Sequence, residues 1–267
     1  MKKVLLLTFL TLLTNSVVAE TIKSEKVILF NDTDCKANQD IEEGDCKYKF
    51  LYSYDKSGID FIDKELLSSF GFGNSIEKIK QEIAKSVAEE KQYMQESITG
   101  ASAVVETKFL NQRTNLVQYV SHNSSYSAGA AHGMFGDFYY IFDLELKKRL
   151  RLKDILISGK EQSLIKVLEK SLGQYFLEFS SDNDSPDYKK CLNKKKTNKT
   201  TCAVRVFAIN PKPFDDLYET ADNFYFTDKG LAFNFPPYVV AAFAHGEVGF
   251  EINKKELKGI IKDKYLQ

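Results

Sequence analysis

Tryptophan is absent from this chain, and its 267 residues include only three histidines, four cysteines and five prolines. Neither sign of charge is in excess, since 37 Lys and Arg face 37 Asp and Glu. That balance argues against nucleic acid as a partner, because neutralising phosphates requires a clear basic surplus. It also excludes general disorder, which combines high net charge with low hydrophobicity, whereas 43% of these residues are hydrophobic. The motifs GxSxG, HExxH, GxGxxG and the P-loop are all missing. With them go the common signatures of nucleophilic serine, zinc-protease and nucleotide chemistry. No internal repeat or low-complexity linker interrupts the chain. Beyond the first residues no stretch is apolar enough to cross a bilayer, which takes about 20 apolar residues.

What is present begins at the N-terminus. Lys2 and Lys3 precede an apolar run from Val4 to Leu13, interrupted by Thr8 and Thr11, and Val17-Val18-Ala19 stands before Glu20. This is the layout of a secretory signal peptide over residues 1–19. The competing interpretation, an uncleaved anchor, is disfavoured by the shortness of the run. No cysteine follows it, which speaks against lipoprotein processing. The expected location is periplasmic or secreted, with no membrane span after cleavage. Cleavage removes two lysines and no acid, so the mature chain is slightly acidic.

Cysteine usage agrees with export. Cys35, Cys46, Cys191 and Cys202 form two pairs of equal spacing in polar segments, and four cysteines allow three connectivities. Local pairing, Cys35 with Cys46 and Cys191 with Cys202, is expected, each bridge stapling a short loop in an oxidising compartment. Zinc ligation is the alternative, but CxxC is absent and the histidines lie far from the cysteines in sequence.

Hydrophobic periodicity organises the rest. Residues 26–30 and 47–54 read as strands flanking the first cysteine loop, with Tyr48, Phe50, Tyr52 and Tyr54 on one face. Residues 74–98 form the clearest helix, carrying Ile76, Ile79, Ile83, Val87, Met94 and Ile98 in one stripe, capped by Asn74 or Ser75. Strands follow at 103–111, 116–126 and 135–144, and a second amphipathic helix at 160–179. The polar segment 180–201 reads as a disulfide loop. Strands at 224–227, 231–235 and 248–252 precede a final helix at 254–264. Strands in consecutive runs indicate an α+β fold: a largely antiparallel sheet packed against two long amphipathic helices and a C-terminal helix, with two disulfide loops. The division expected is an N-terminal module over 20–110 and a C-terminal module over 111–267, packed as one unit.

Candidate chemistry rests on the histidines. His132 lies in Ser127-Ala128-Gly129-Ala130-Ala131-His132-Gly133, where small residues leave the imidazole prominent, either as a base or ligand or as a ring that bonds backbone and holds the turn. His245-Gly246-Glu247 has the HxE of zinc deaminases but lacks their PCxxC. His122 reads as a solvated strand position. Asp182 to Asp187 begins like a calcium loop but fails its sixth and twelfth positions. Asp32, Asp34, Asp40, Glu42, Glu43 and Asp45 surround the first cysteine pair, and the lysines from Lys189 to Lys199 the second. The latter suit a solvated loop or a contact for anionic envelope polymers. No metal site and no cofactor are expected.

Two stretches resemble a family. Gly129-Ala130-Ala131-His132-Gly133, Phe138-Tyr139-Tyr140-Ile141-Phe142-Asp143-Leu144 and Leu150-Arg151-Leu152-Lys153-Asp154 are similar to the start of an exported bacterial domain of unknown function. Phe224-Tyr225-Phe226-Thr227, Gly230-Leu231-Ala232-Phe233 and Pro237-Tyr238 are similar to its end. That domain occurs in the extracellular half of RsiV-type anti-sigma factors, which sense lysozyme, and in the non-catalytic part of PdaC-type peptidoglycan deacetylases. Val239, His245 and the Cys191 to Cys202 insertion depart from its pattern. The resemblance implies an α+β fold and a binding or sensing role at the envelope, and supplies no catalytic residue. The candidate binding residues are His132, Tyr140, Tyr238 and His245, with His132 the sole candidate for catalysis. The leading expectation is a non-enzymatic binding protein for a cell-wall glycan fragment or a cationic wall-active protein such as lysozyme. The alternatives are an envelope glycan hydrolase or deacetylase-related enzyme using His132, and a purely structural envelope module.

Overall fold

The computed structural model describes residues 21–35, 46–95, 99–179, 185–193 and 197–267. The signal-peptide segment, the acids from Asp40 to Asp45, Ile98, Asp182, Asp184 and Lys194 to Lys196 lie outside the described residues.

Six strands form one sheet in chain order: β1 (Glu25–Cys35), β2 (Cys46–Lys56), β3 (Ala101–Arg113), β4 (Leu116–Tyr126), β5 (Met134–Asp143) and β6 (Lys148–Leu150). All neighbours are antiparallel except β2 and β3. That pair is parallel because helices α1 (Asp60–Ser68) and α2 (Ile76–Met94) carry the chain back across the sheet. The expected stripe on α2 does the packing: Ile79, Ile83, Val87 and Met94 are buried. They meet Phe50, Tyr54, Val117, Tyr119, Tyr140 and Phe142 in one core. Ser75 caps α2 by accepting a hydrogen bond from the Lys78 amide. Cys35 pairs with Cys46 where β1 and β2 stand in register. Strand β3 runs through residues 110 and 111, so the sheet draws strands from both sides of that point.

The second core is built on α4 (Glu161–Phe179), preceded by the single turn α3 (Leu152–Ile155). Leu164, Leu168, Leu172 and Phe176 recur every four residues along α4 and are fully buried, each contributing about 1.5–3 kcal/mol of apolar burial. They face a three-stranded antiparallel sheet, β7 (Phe224–Phe226), β8 (Gly230–Phe235) and β9 (Val248–Asn253). Pro236 and Pro237 follow β8, as expected of residues that cannot donate to a ladder.

Two segments differ from the sequence expectation. The stretch read as a loop holds α5 (Pro186–Leu192) and the start of α6 (Lys199–Phe207), and the Cys191–Cys202 bridge ties these helices together. Ser185 and Asn198 cap them, and a helix this short leaves little periodicity to read. After the single turn α7 (Leu217–Thr220) and the strands, the C-terminal helix is also one turn, α8 (Lys254–Leu257). Gly259, at φ 73°, redirects the chain. Ile260, in the turn, and Ile261, which bridges Leu156, then reach the core.

Gly173 sets the contact between α4 and α6. A Cβ built there would lie 2.4 Å from the Thr200 carbonyl oxygen. Alanine normally gains about 1 kcal/mol over glycine within a helix. Here Gly173→Ala is expected to lower stability instead, read as a reduced urea midpoint. An unchanged or raised midpoint would mean that α6 yields freely.

Side-chain amides join the two cores. Gln118 on β4 is fully buried. Its Nε2 donates to the Phe226 carbonyl at 3.0 Å, and its Oε1 accepts from the Phe226 amide at 2.7 Å. One glutamine thus stands in for a strand neighbour. Strand β6 covers β5 only from Ile141 to Asp143. Beyond it, the Tyr139 amide donates to Asn223 Oδ1 at 2.8 Å and the Asp137 amide to Glu247 Oε1 at 2.6 Å. Asn223 and Asn234 both donate to the Asp137 carbonyl. An exposed edge that could template aggregation is thereby closed by side chains.

Candidate binding site

Above that closed edge, two loops converge. The first is 127–133, between β4 and β5. Its backbone is pinned at Ala128, which donates to Glu90 of α2 at 3.0 Å, and at Gly129, which donates to Thr99 Oγ1 at 2.7 Å. A Cβ at Gly133 would come within 2.7 Å of the Ser125 carbonyl. Small residues thus let the loop fold back on β4, and the His132 ring is left exposed.

The second loop, 236–247, follows β8. Val239 donates to the Pro236 carbonyl and Tyr238 to that of Ala241. This tight turn places Tyr238 at φ 69°. A bulky side chain in the left-handed region costs on the order of 1–3 kcal/mol. Nothing in a core requires it, since Tyr238 is 49% exposed.

The loops meet through rings. His132 stacks on Phe243 with centroids 3.9 Å apart. Tyr238 lies 5.7 Å from Phe243, and Phe135 meets Phe243 edge-on at 5.8 Å. Met134, Phe135, Tyr238 and Val239 are all exposed, so the cluster is an apolar, aromatic surface around one imidazole.

The chemistry of that imidazole follows from its bonds. His132 Nδ1 lies 3.0 Å from the Gly133 carbonyl. A carbonyl only accepts, so Nδ1 carries the proton in the neutral ring. Nε2 is then the acceptor for the Tyr238 hydroxyl, 3.3 Å away. Both nitrogens are engaged, and no carboxylate among the described residues bonds this ring. Support for a general base at His132 is correspondingly weak. No group of three or more His, Cys, Asp or Glu able to hold a metal ion occurs among the described residues.

Of the four candidate binding residues, the structure brings two together. His132 and Tyr238, 106 positions apart, touch. His245 closes the 3-10 turn Phe243–His245 and meets Phe176 of the second core edge-on at 5.6 Å. Tyr140 is buried in the first core beneath the Arg149 guanidinium, 4.1 Å from its ring centre. Burial holds that guanidinium below its usual range, at about 10.

Sequence reasoning treated His122 as a solvated strand position. It does lie in β4 with its side chain 44% exposed, and in addition its Nδ1 lies 2.6 Å from Asp137 Oδ1, its register partner across β4 and β5. Near this pair Tyr139 stacks on Tyr225 at 4.2 Å. Burial, then Tyr225, Asp137 and Glu247, pushes the Tyr139 hydroxyl far above its usual range, keeping it protonated. Phe243 and Phe135 were also missed. Their place in the cluster depends on a turn and a strand end whose placement no local pattern encodes.

With this geometry established, known proteins can be compared. Residues 153–255 match the family described as "Protein of unknown function (DUF3298)". Among solved structures, the chain is similar to a DUF3298 family protein from Pseudomonas aeruginosa PAO1, at 19% identity and TM-score 0.57. That match covers 91% of this chain and 95% of the other. A member of the same family from Bacteroides fragilis NCTC 9343 is similar at 16% identity and TM-score 0.56, with the same coverages of 91% and 95%. These likenesses establish the shared fold. No curated protein matches the chain.

Proposed function

We propose that this is an exported, non-enzymatic binding protein of the cell envelope, and that its ligand is a wall-active protein such as lysozyme. The observation that carries the proposal is the exposed cluster of His132, Met134, Phe135 and Tyr238, gathered on the half-buried ring of Phe243. Aromatic residues and methionine are enriched where proteins meet, and a few buried anchors supply most of the binding energy. Holding Tyr238 in a strained conformation without a core to gain from it suits a residue kept for contact. The resemblance to the extracellular half of RsiV-type anti-sigma factors supports the same ligand, and the slight acidity of the mature chain suits a cationic partner. The two disulfides suit an oxidising compartment.

Titration of the purified protein with lysozyme, alongside soluble muropeptides and an assay of lysozyme inhibition, tests the proposal. Binding of lysozyme is expected. The variant Tyr238→Gly should weaken it by roughly thirtyfold, the scale of a hot-spot loss. The same variant should gain about 1 kcal/mol of stability by releasing the left-handed strain. No lysozyme binding would overturn the assignment, and binding of muropeptides alone would transfer the site to a glycan fragment.

A further inference from the structure

A second surface, different in chemistry from the aromatic cluster, lies on the C-terminal core. Between α4, α6 and the Pro211-Lys212 turn is a cleft of ≈ 690 Å3. Four cations line it, Lys166, Lys170, Arg205 and Lys212, against one acid, Glu169. In a chain with as many acids as bases, that is a local concentration of positive charge. Two of the four are already matched, Lys170 by Glu256 at 2.7 Å and Lys212 by Asp215 at 3.8 Å. Lys166 and Arg205 form no ion pair among the described residues, and both are exposed.

Like charges gathered without partners repel, and a fold keeps such a group at a cost unless a counter-charge visits. The lining includes Val204, and Thr201 adds a hydroxyl beside the start of α6, where the Thr200 hydroxyl and the Thr201 amide are already bonded to the Asn198 cap. Guanidinium, ammonium and hydroxyl donors together suit oxygen-rich anions. The Cys191–Cys202 bridge fixes α6 to α5 and so holds one wall in place.

We propose that this cleft binds a small multivalent oxyanion, a compound bearing two or more phosphate or carboxylate groups. The site is independent of the aromatic cluster and stands or falls separately from it.

Calorimetric titration of the full chain at low salt, with inorganic pyrophosphate in one arm and citrate in the other, tests this. Saturable binding that weakens steeply with added salt is expected in at least one arm. Pyrophosphate alone would identify phosphate chemistry, citrate alone carboxylate chemistry, and both a general oxyanion site. Lys166→Gln and Arg205→Gln should each weaken binding about tenfold or more. The exposed positions should leave the melting curve unchanged, and lysozyme binding should be unaffected. Absence of binding in both arms, or affinity unchanged in the double variant, overturns the proposal.

Discussion

Replacing Gln118 with leucine is expected to destabilise the protein by about 2–4 kcal/mol, although the new side chain fills similar space. The amide and carbonyl of Phe226 would remain buried, and each unpaired group costs roughly 1–3 kcal/mol. Phe226 is 3% exposed, so water cannot readily replace the lost partner. The loss should extend beyond the residue itself. With Gln118 gone, the β4 to β7 joint depends on Arg113, which reaches the Thr227 carbonyl and Asp228, and on the Asn223 group at β5. Denaturation followed by two probes, one for each core, should then separate into two transitions where the parent shows one. A change below about 0.5 kcal/mol, the size usual for surface substitutions, would show that the joint is not held by this glutamine.

The second large effect concerns the bridge between α5 and α6. Removing it with Cys191→Ala and Cys202→Ala should cost about 3 kcal/mol, as expected for a loop of this length. For a chain of this size that is a fall of roughly 6–12 °C in Tm. Cys202 is fully buried beside Ala203 in the second core, so loosening α6 disturbs α4 as well. Anion binding in the cleft should fall with it, because Arg205 and the two threonines ride on the same helix. Equal Tm values for the double variant and the oxidised parent would mean that capping by Ser185 and Asn198 already holds the pair.

The sequence was most informative where a pattern repeats. Alternation made β2 and β5 legible and β-rich composition made β4 so, while the apolar stripes of α2 and α4 were legible because one buried face imposes a fixed spacing. Local pairing of the cysteines followed from equal separations and agrees with the structure. Helices α1, α5 and α6 were not legible. Each spans two turns or little more, and α5 and α6 are held by caps and a bridge rather than by a long stripe. The joint escaped for a different reason. Gln118 and Asn223 bond to main chain more than 80 residues away, and a side chain pairing with backbone leaves no periodic trace. In the candidate site, His132 was conspicuous among small residues and Tyr238 through its motif. Their meeting, and the part played by Phe243, depends on two loops being carried to the same end of the molecule.

The amide joint also bears on how the protein withstands its surroundings. Gln118 and Asn223 carry no charge, and their partners are main-chain groups and, for Gln118, also the neutral Asn111 amide oxygen. Ionic strength screens attractions between charges, but it has little purchase on neutral dipoles shielded from solvent. Salt can therefore weaken the Arg113 and Asp228 pair along the same line while the bonds from Gln118 to Phe226 are left in place. The loops that carry His132 and Tyr238 are rooted on either side of that line, so their mutual spacing rests in part on bonds that salt does not screen.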